Sequence, residues 1–364
     1  MIVPRHRLDL SPADLLYALV AAPLAQRPNR RAARIASGWA RSDEGLACLS
    51  DRAGLDFLLS ALDLPEGDEV LLSAVTHPDM PRIVRAHGLV PVPVDLDLTT
   101  AAPRADALER ALGPRARAIL VAHLFGARFD LSEVAELARR HRLLLIEDCA
   151  QTILGPDDAG DPRADVSLYS FGSIKTATAL GGALVRVRDA ALLARMRKVE
   201  AAWPRQPRRE HASKSLKYAV LVVLDRPLPY TVLVRLAQGV GFDLERFVST
   251  TVRAFRARPG DDQDAAFTRW LRRRPSAPLL ALLERRLRRF DATRGTSAIG
   301  VVEPPAGHEE VDPSEARRLM AGIVFLPVYP ELSRATLERL AETARRTELE
   351  SGRGFPADRR TVAA

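Results

Sequence analysis

Leu143-Leu144-Leu145-Ile146-Glu147-Asp148-Cys149-Ala150-Gln151 is followed, after a short interval, by Val166-Ser167-Leu168-Tyr169-Ser170-Phe171-Gly172-Ser173-Ile174-Lys175. Each stretch is a short apolar run that ends in polar side chains capable of chemistry. Such runs, bounded by polar residues, read as strands buried on both faces, the form that parallel strands take. Working outward, similar runs stand at residues 70–72, 90–94, 118–121 and 183–187, and helical stretches at 53–62, 81–87, 105–112 and 131–140 separate several of them. Strands alternating with helices predict an α/β fold with a mostly parallel sheet flanked by helices. In such sheets ligands lie beyond the carboxyl ends of the strands, so the polar residues after each run are the candidates for function.

The composition is consistent with this. The chain has 364 residues, 47% hydrophobic and 27% charged, enough apolar side chain for one large or two ordinary domains and too much for a disordered chain. No apolar run approaches the roughly 18 residues of a membrane span. The two cysteines, Cys48 and Cys149, fit neither a metal motif nor a disulfide framework, which predicts a reducing, cytoplasmic setting. Arg5 to Arg7 ahead of an apolar stretch faintly resembles a secretion signal, but Ser11-Pro12-Ala13-Asp14 reads as an N-cap, a first-turn proline and a first-turn acid of an ordinary helix.

Charge is distributed unevenly. Residues 195–294 hold 23 Lys+Arg against 10 Asp+Glu, whereas the whole chain is only +8. Arginine dominates, and the only lysines are Lys175, Lys198, Lys214 and Lys217. A lysine at a chemically pointed position therefore carries more meaning here than in an ordinary composition.

Taken alone, Asp148 at one strand end and Lys175 after a later strand are compatible with a buried ion pair as well as with an active site. Lys175-Thr176 is not the end of a phosphate-binding P-loop, because Ile174 occupies the position before the lysine that requires glycine. Two further groups precede them. Ser50-Asp51-Arg52 opens a helix, and Thr76-His77-Pro78 follows a strand.

In their order and spacing these features resemble the DegT/StrS-type sugar aminotransferases, pyridoxal-phosphate enzymes of the aspartate-aminotransferase fold. The resemblance includes Gly67-Asp68-Glu69-Val70, Pro93-Val94-Asp95, His123-Leu124-Phe125-Gly126, Glu147-Asp148-Cys149-Ala150-Gln151 and Ser170-Phe171 with Lys175 and Gly181-Gly182, and it resumes at Leu326-Pro327-Val328-Tyr329-Pro330-Glu331-Leu332-Ser333. It implies an aspartate-aminotransferase-like large domain plus a reduced, helix-rich C-terminal region. The expected organisation is an N-terminal helical segment (1–48), a cofactor-binding α/β domain (49–200), a basic, mostly helical region with a closing strand and helix (201–350), and a flexible tail (351–364).

By this resemblance the cofactor is pyridoxal 5′-phosphate and Lys175 forms the Schiff base with its aldehyde. Asp148 pairs with the pyridinium nitrogen, which keeps the ring an electron sink. Gln151 is similar to the residue touching the phenolic oxygen, His77 to the stacking aromatic, and Ser170 to the serine at the phosphate. A solvent-facing amide, a loop histidine and a strand-end hydroxyl are the plain alternatives for these three. Where relatives carry Ser-Gly-Thr, this chain has Ser50, Asp51 and Arg52. The helix N-terminus still favours a phosphate, Arg52 adds a possible bidentate contact, and Asp51 would repel the anion unless turned away.

The implied activity is transfer of an amino group to a keto sugar, nucleotide-linked in many relatives, or to a related ketone. Dehydrating relatives replace the lysine by histidine, so Lys175 favours transamination. The usual Asn-x-Arg-Met segment, which reaches the neighbouring subunit, is absent, and the basic segment replaces the usual small domain. This leaves a cofactor-free scaffold or regulatory partner as the alternative. The resemblance implies a homodimer. The basic segment reads as solvated helix faces, as a docking surface for an acidic partner, or as a membrane-surface element, because residues 218–224 and 230–236 are apolar beside basic side chains. No nucleic-acid motif is present.

Overall fold

The computed structural model describes residues 8–39, 43–97, 100–224, 226–239, 241–242, 262–290 and 300–301. The expected closing strand and helix, the motif at 326–333 and the tail lie outside the described residues.

The chain begins with helix α1 (Pro12–Val20), a 3-10 turn (Ala22–Leu24) and helix α2 (Pro28–Gly38). Ser11 caps α1 as its sequence predicts, its Oγ accepting from the Asp14 N–H. Next come β1 (Gly45–Cys48), α3 (Asp51–Leu62), β2 (Glu69–Ser73), β3 (Val75–Thr76), α4 (Asp79–Ala86) and β4 (Val90–Val94). They are followed by α5 (Ala105–Ala111), β5 (Ala116–Ala122), α6 (Ser132–His141), β6 (Leu144–Asp148), β7 (Val166–Ser170) and β8 (Ala183–Val187). Helices α7 (Ala190–Ala202), α8 (Arg208–Leu224), α9 (Pro227–Gly239), α10 (Gln263–Leu271) and α11 (Ala277–Leu287) precede β9 (Gly300–Val301), which pairs with β3.

The main sheet has the order β1-β8-β7-β6-β5-β2-β4. β4, β2, β5, β6 and β7 run parallel; at one side β8 runs antiparallel to β7, and β1 pairs antiparallel to β8. The mostly parallel α/β sheet expected from the sequence is present. Because β6 and β7 are parallel neighbours, Asp148 and Ser170 lie at the same carboxyl edge. β1 has no helix-like or alternating signature and was not legible as a strand. It joins the sheet by pairing Gly45 to Cys48 with Arg186 to Ala183.

Strand alternation sorts the core into layers. Val166, Leu168, Ala183 and Val185 face one cluster with Leu55, Leu58 and Leu59 of α3. Tyr169, Phe171 and Leu184 face another, shared with Ala18, Ile35 and Trp39 near the N-terminus and Leu280, Leu282 and Leu283 of α11. The N-terminal helices and α11 thus complete one core on the face that carries the Lys175 loop.

Much of the arginine excess is consumed structurally. Arg272 donates to the buried carboxylate of Asp56 in α3 at 3.1 Å, Arg273 grips both oxygens of Glu210 in α8, and Arg274 donates to the Trp203 carbonyl after α7. Three consecutive arginines fasten the α10–α11 link to three different helices. Residues 203–207, with Pro204 and Pro207, join α7 to α8, which begins at Arg208. Among the described residues no helix is long and apolar enough to cross a membrane.

Candidate active site

The carboxyl edge of the sheet opens into a cavity of about 290 Å³. Ser50, Asp51, Arg52 and His77 line it from α3 and the β3–α4 connection. Asp148, Gln151, Ser170 and Lys175 line it from the β6 and β7 ends. All eight residues expected from the sequence therefore meet in one place.

Local structure positions each of them. Ser50 is the N-cap of α3, its Oγ accepting from the Ala53 N–H at 3.1 Å, so the open end of that helix points into the cavity. Such an end offers N–H groups and a favourable dipole to an anion. Asp148 closes β6, and its Oδ1 accepts from the Ala150 N–H at 2.8 Å. Lys175 sits in the turn after β7, its N–H donating to the Gly172 carbonyl. That turn leads into Gly181 and Gly182, both at positive φ, where an added Cβ would lie 3.1 Å from Leu279 and Leu283 of α11 respectively. The two glycines let α11 press directly on the loop that carries Lys175.

The electrostatics are those of a desolvated mixed-charge pocket. Burial pushes the Lys175 ammonium below its usual range, and Arg52 adds to this against the opposing pull of Asp51 and Asp148. Burial, together with the neighbouring charge of Asp51, raises Asp148 to about 6. Burial also acts to raise Asp51, but Arg52, Lys175 and His77 outweigh it and hold that carboxyl below its usual value. His77 is lowered by burial and by Arg52. Its Nδ1 accepts from the Asp79 N–H at 3.1 Å, which places the ring proton on Nε2 of a neutral imidazole.

The remaining side chains are partly committed. Arg52 donates to Asp79 Oδ2 at 2.5 Å and lies 5.2 Å from the Trp270 ring centre, so it enters the cavity already braced. Gln151 uses Oε1 to accept from the Phe125 N–H at 3.1 Å, which leaves its amide NH₂ as the end able to donate.

Sequence reasoning missed the opposite wall. Gln206 and three α8 residues, Glu210, Lys214 and Tyr218, face the cavity, with Trp270 and Arg273 beside them. Burial, Arg52 and Lys217 push Lys214 down to about 8. Among the described residues no carboxylate pairs with it, because Arg273 holds both oxygens of Glu210, one helical turn away. Two signals could have found this wall, the four-residue spacing of Glu210, Lys214 and Tyr218, and the scarcity of lysine.

A site at the carboxyl edge of a mostly parallel sheet, lined by a desolvated lysine, a buried carboxylate and a helix N-terminus, defines a class of α/β protein built for small-molecule chemistry. The chain belongs to the DegT/DnrJ/EryC1/StrS aminotransferase family, whose model matches residues 33–215. GDP-perosamine synthase of Caulobacter vibrioides is 34% identical over 155 residues, 42% of this chain and 42% of that protein. The match thus spans less than half of that relative's length. Aminotransferase TlmJ from Streptoalloteichus hindustanus has the same fold, with a TM-score of 0.59 at 20% identity over 96% of this chain and 100% of that one. The aminotransferase from Psychrobacter cryohalolentis is 25% identical with a TM-score of 0.49, covering 55% of this chain and 53% of that one.

Proposed function

We propose that the chain is a pyridoxal-phosphate-dependent aminotransferase acting on a keto sugar, with a nucleotide-linked sugar as the leading substrate class. The observation that carries this reading is the meeting of Lys175 and Asp148 in one cavity beside the open end of α3, within a member of this family. The 34% identity to a GDP-perosamine synthase supports a sugar as the acceptor.

The residues present suit the cofactor. Asp148 is a buried carboxylate whose charge burial and Asp51 disfavour more than Lys175 favours it, so a protonated ring nitrogen is a natural further complement. Lys175 has the depressed basicity that an amine needs to act as a nucleophile near neutral pH. When bound, pyridoxal phosphate supplies a reactive aldehyde carbon and an electron-withdrawing ring. Asp148 would hold the proton on the ring nitrogen, and His77 would cover the ring face as a neutral imidazole. Gln151 would donate its NH₂ to the phenolic oxygen. Ser170, Arg52 and the α3 N-terminus would hold the phosphate. Lys175 Nζ would take the proton from the substrate carbon that bears the amino group. Lys214 gives the opposite wall a cation suited to an acidic group on the substrate.

Asp51 favours a second reading. Its buried carboxylate faces the Arg52 backbone N–H at the helix end where a phosphate would sit. A cofactor-free scaffold would tolerate that arrangement.

One experiment separates the two. The purified protein is mixed with pyridoxal phosphate, freed of excess, and its absorption spectrum is recorded before and after borohydride. The aminotransferase reading expects a visible band, a reduced adduct mapping to Lys175, loss of both in Lys175→Ala, and a spectral change with L-glutamate. A protein that retains no cofactor under several buffers and temperatures is the scaffold.

A further inference from the structure

We propose that α1, α8 and α9 form a docking face for an anionic membrane surface. The observation is a set of apolar stripes left open to solvent. On α8, Leu216, Val220 and Val223 are 54–61% exposed, and on α9, Leu228, Val232 and Leu236 are 58–68% exposed. Leu16, Leu19 and Val20 of α1 are also exposed, and α1 packs against α8. Each trio follows the three-to-four-residue spacing that places side chains on one face of a helix.

These stripes are not misplaced core. Helix α8 is used on both sides. Glu210, Lys214 and Tyr218 line the cavity, while Leu216, Val220 and Val223 fall about half a turn away on the outer side. A soluble surface normally breaks such a run with polar residues, and here successive turns of three helices leave large aliphatic side chains in water.

Charge selects the partner. Arg208, Arg209, Lys217 and Arg235 of the same two helices, and Arg226 between them, are exposed. From 208 to 242 the sequence contains only two acids, Glu210, which Arg273 holds, and Asp225. An apolar stripe edged by long basic side chains matches the boundary between acyl chains and anionic headgroups, where the basic heads remain among the phosphates. A second copy of the chain fits less well, because a two-fold interface sets the same patch against itself and brings these cations together. With 17 and 13 residues, α8 and α9 are too short to span a bilayer readily and suit a position along its surface. The cavity would then be separated from the headgroups by one helix, roughly 10 Å across.

The test is co-sedimentation of the full-length protein with vesicles of phosphatidylcholine alone or mixed equally with phosphatidylglycerol. We expect binding to the anionic vesicles, weakening as sodium chloride rises. Val220→Glu combined with Val232→Glu should reduce binding at least roughly tenfold, since it places charge in the apolar stripe. Arg226→Glu combined with Arg235→Glu should remove the preference for phosphatidylglycerol. All four positions are exposed, and an unchanged thermal midpoint will show that the variants fold. Absence of binding to anionic vesicles, or binding unchanged in both double variants, overturns the proposal. So does a concentration-dependent dimer in light scattering that Val220→Glu dissolves while vesicles capture nothing, which would identify a second copy as the occupant. Neither result depends on whether the cavity holds pyridoxal phosphate.

Discussion

Asp51 is the residue at which the site departs furthest from what an anion-binding helix end requires. It is buried, held ionised by Arg52 and Lys175, and placed where the α3 dipole attracts negative charge. A bound phosphate must share that end with it. Asp51→Asn removes the competing charge and keeps the shape, so pyridoxal phosphate should be retained several-fold more tightly, a gain on the order of 1 kcal/mol. Fluorescence titration of the ligand-free protein measures this, and weaker retention would show that Asp51 helps to hold the cofactor. Lys214 makes the complementary case. Its folded value of about 8 lies below the free-lysine value of 10.5, so the ammonium is present below pH 8 and is lost as pH rises through it. Inorganic phosphate should therefore protect the protein from thermal unfolding at pH 7 and less so above pH 8. Lys214→Met should weaken that protection roughly tenfold, the usual loss for a charged hydrogen bond. It should also stabilise the ligand-free protein below pH 8, because a desolvated cation is removed; unchanged phosphate protection would place the anion elsewhere. The contrast between Lys175 and Lys214 shows what was legible at this scale. Lys175 stands in an ordered series of local motifs, whereas Lys214 acquires its meaning only when α8 folds across the cavity, 39 residues later.

Among elements, α3 joins the core to the site, and its closest packing is at Gly54. A Cβ there would meet Val185 Cγ2 of β8 at 2.4 Å. Alanine would gain about 1 kcal/mol of helix propensity, but Val185 is β-branched and cannot swing aside. Overpacking of this kind costs about 1–3 kcal/mol. Gly54→Ala should therefore lower the urea midpoint, and because α3 must shift outward it should also loosen the Ser50–Arg52 end that faces the cavity. A raised midpoint would mean that the sheet yields instead. The elements that could be read from sequence were those with strong local pattern, such as β6, β7 and the Ser11 cap. β1 was missed because its four residues, Gly45–Cys48, become a strand only through pairing with β8. The beginning of α8 was not legible because Pro204 and Pro207 stand just before it and its first turn is secured from far along the chain, by Arg273 holding Glu210.

At the scale of the whole molecule, the two ends of the described chain close on each other. Asp14 of α1 accepts from Arg285 at 2.7 Å and from Arg286 at 2.6 Å, and Arg286 also donates to the Asp9 carbonyl at 2.7 Å. Asp9 Oδ2 in turn accepts from the Ala177 N–H, two residues after Lys175. The lysine loop is thus held by Asp9 from one side and by Leu279 and Leu283, through Gly181 and Gly182, from the other. The basic segment that resembled a separate addition in sequence is therefore part of the wall of the site, and only long-range contacts reveal this. Burial acts to raise Asp14, but Ser11, Arg285 and Arg286 outweigh it and leave the carboxyl below its usual value. A carboxyl lowered on folding stabilises the native state above its unfolded value near 3.8, and that contribution disappears as pH falls through the folded value. Asp14→Asn leaves buried Arg286 with one carboxylate fewer, a loss of about 3 kcal/mol by analogy with other broken buried pairs. At pH 7 its thermal midpoint should fall well below that of the wild type, and the two should converge as the pH drops below 4. Because α1, α11 and the lysine loop form one connected unit, Asp14→Asn should also release pyridoxal phosphate faster than Arg139→Ala, a control that breaks an exposed pair on α6. Equal release rates in the two variants would show that the lysine loop keeps its position without the clasp between the chain's two ends.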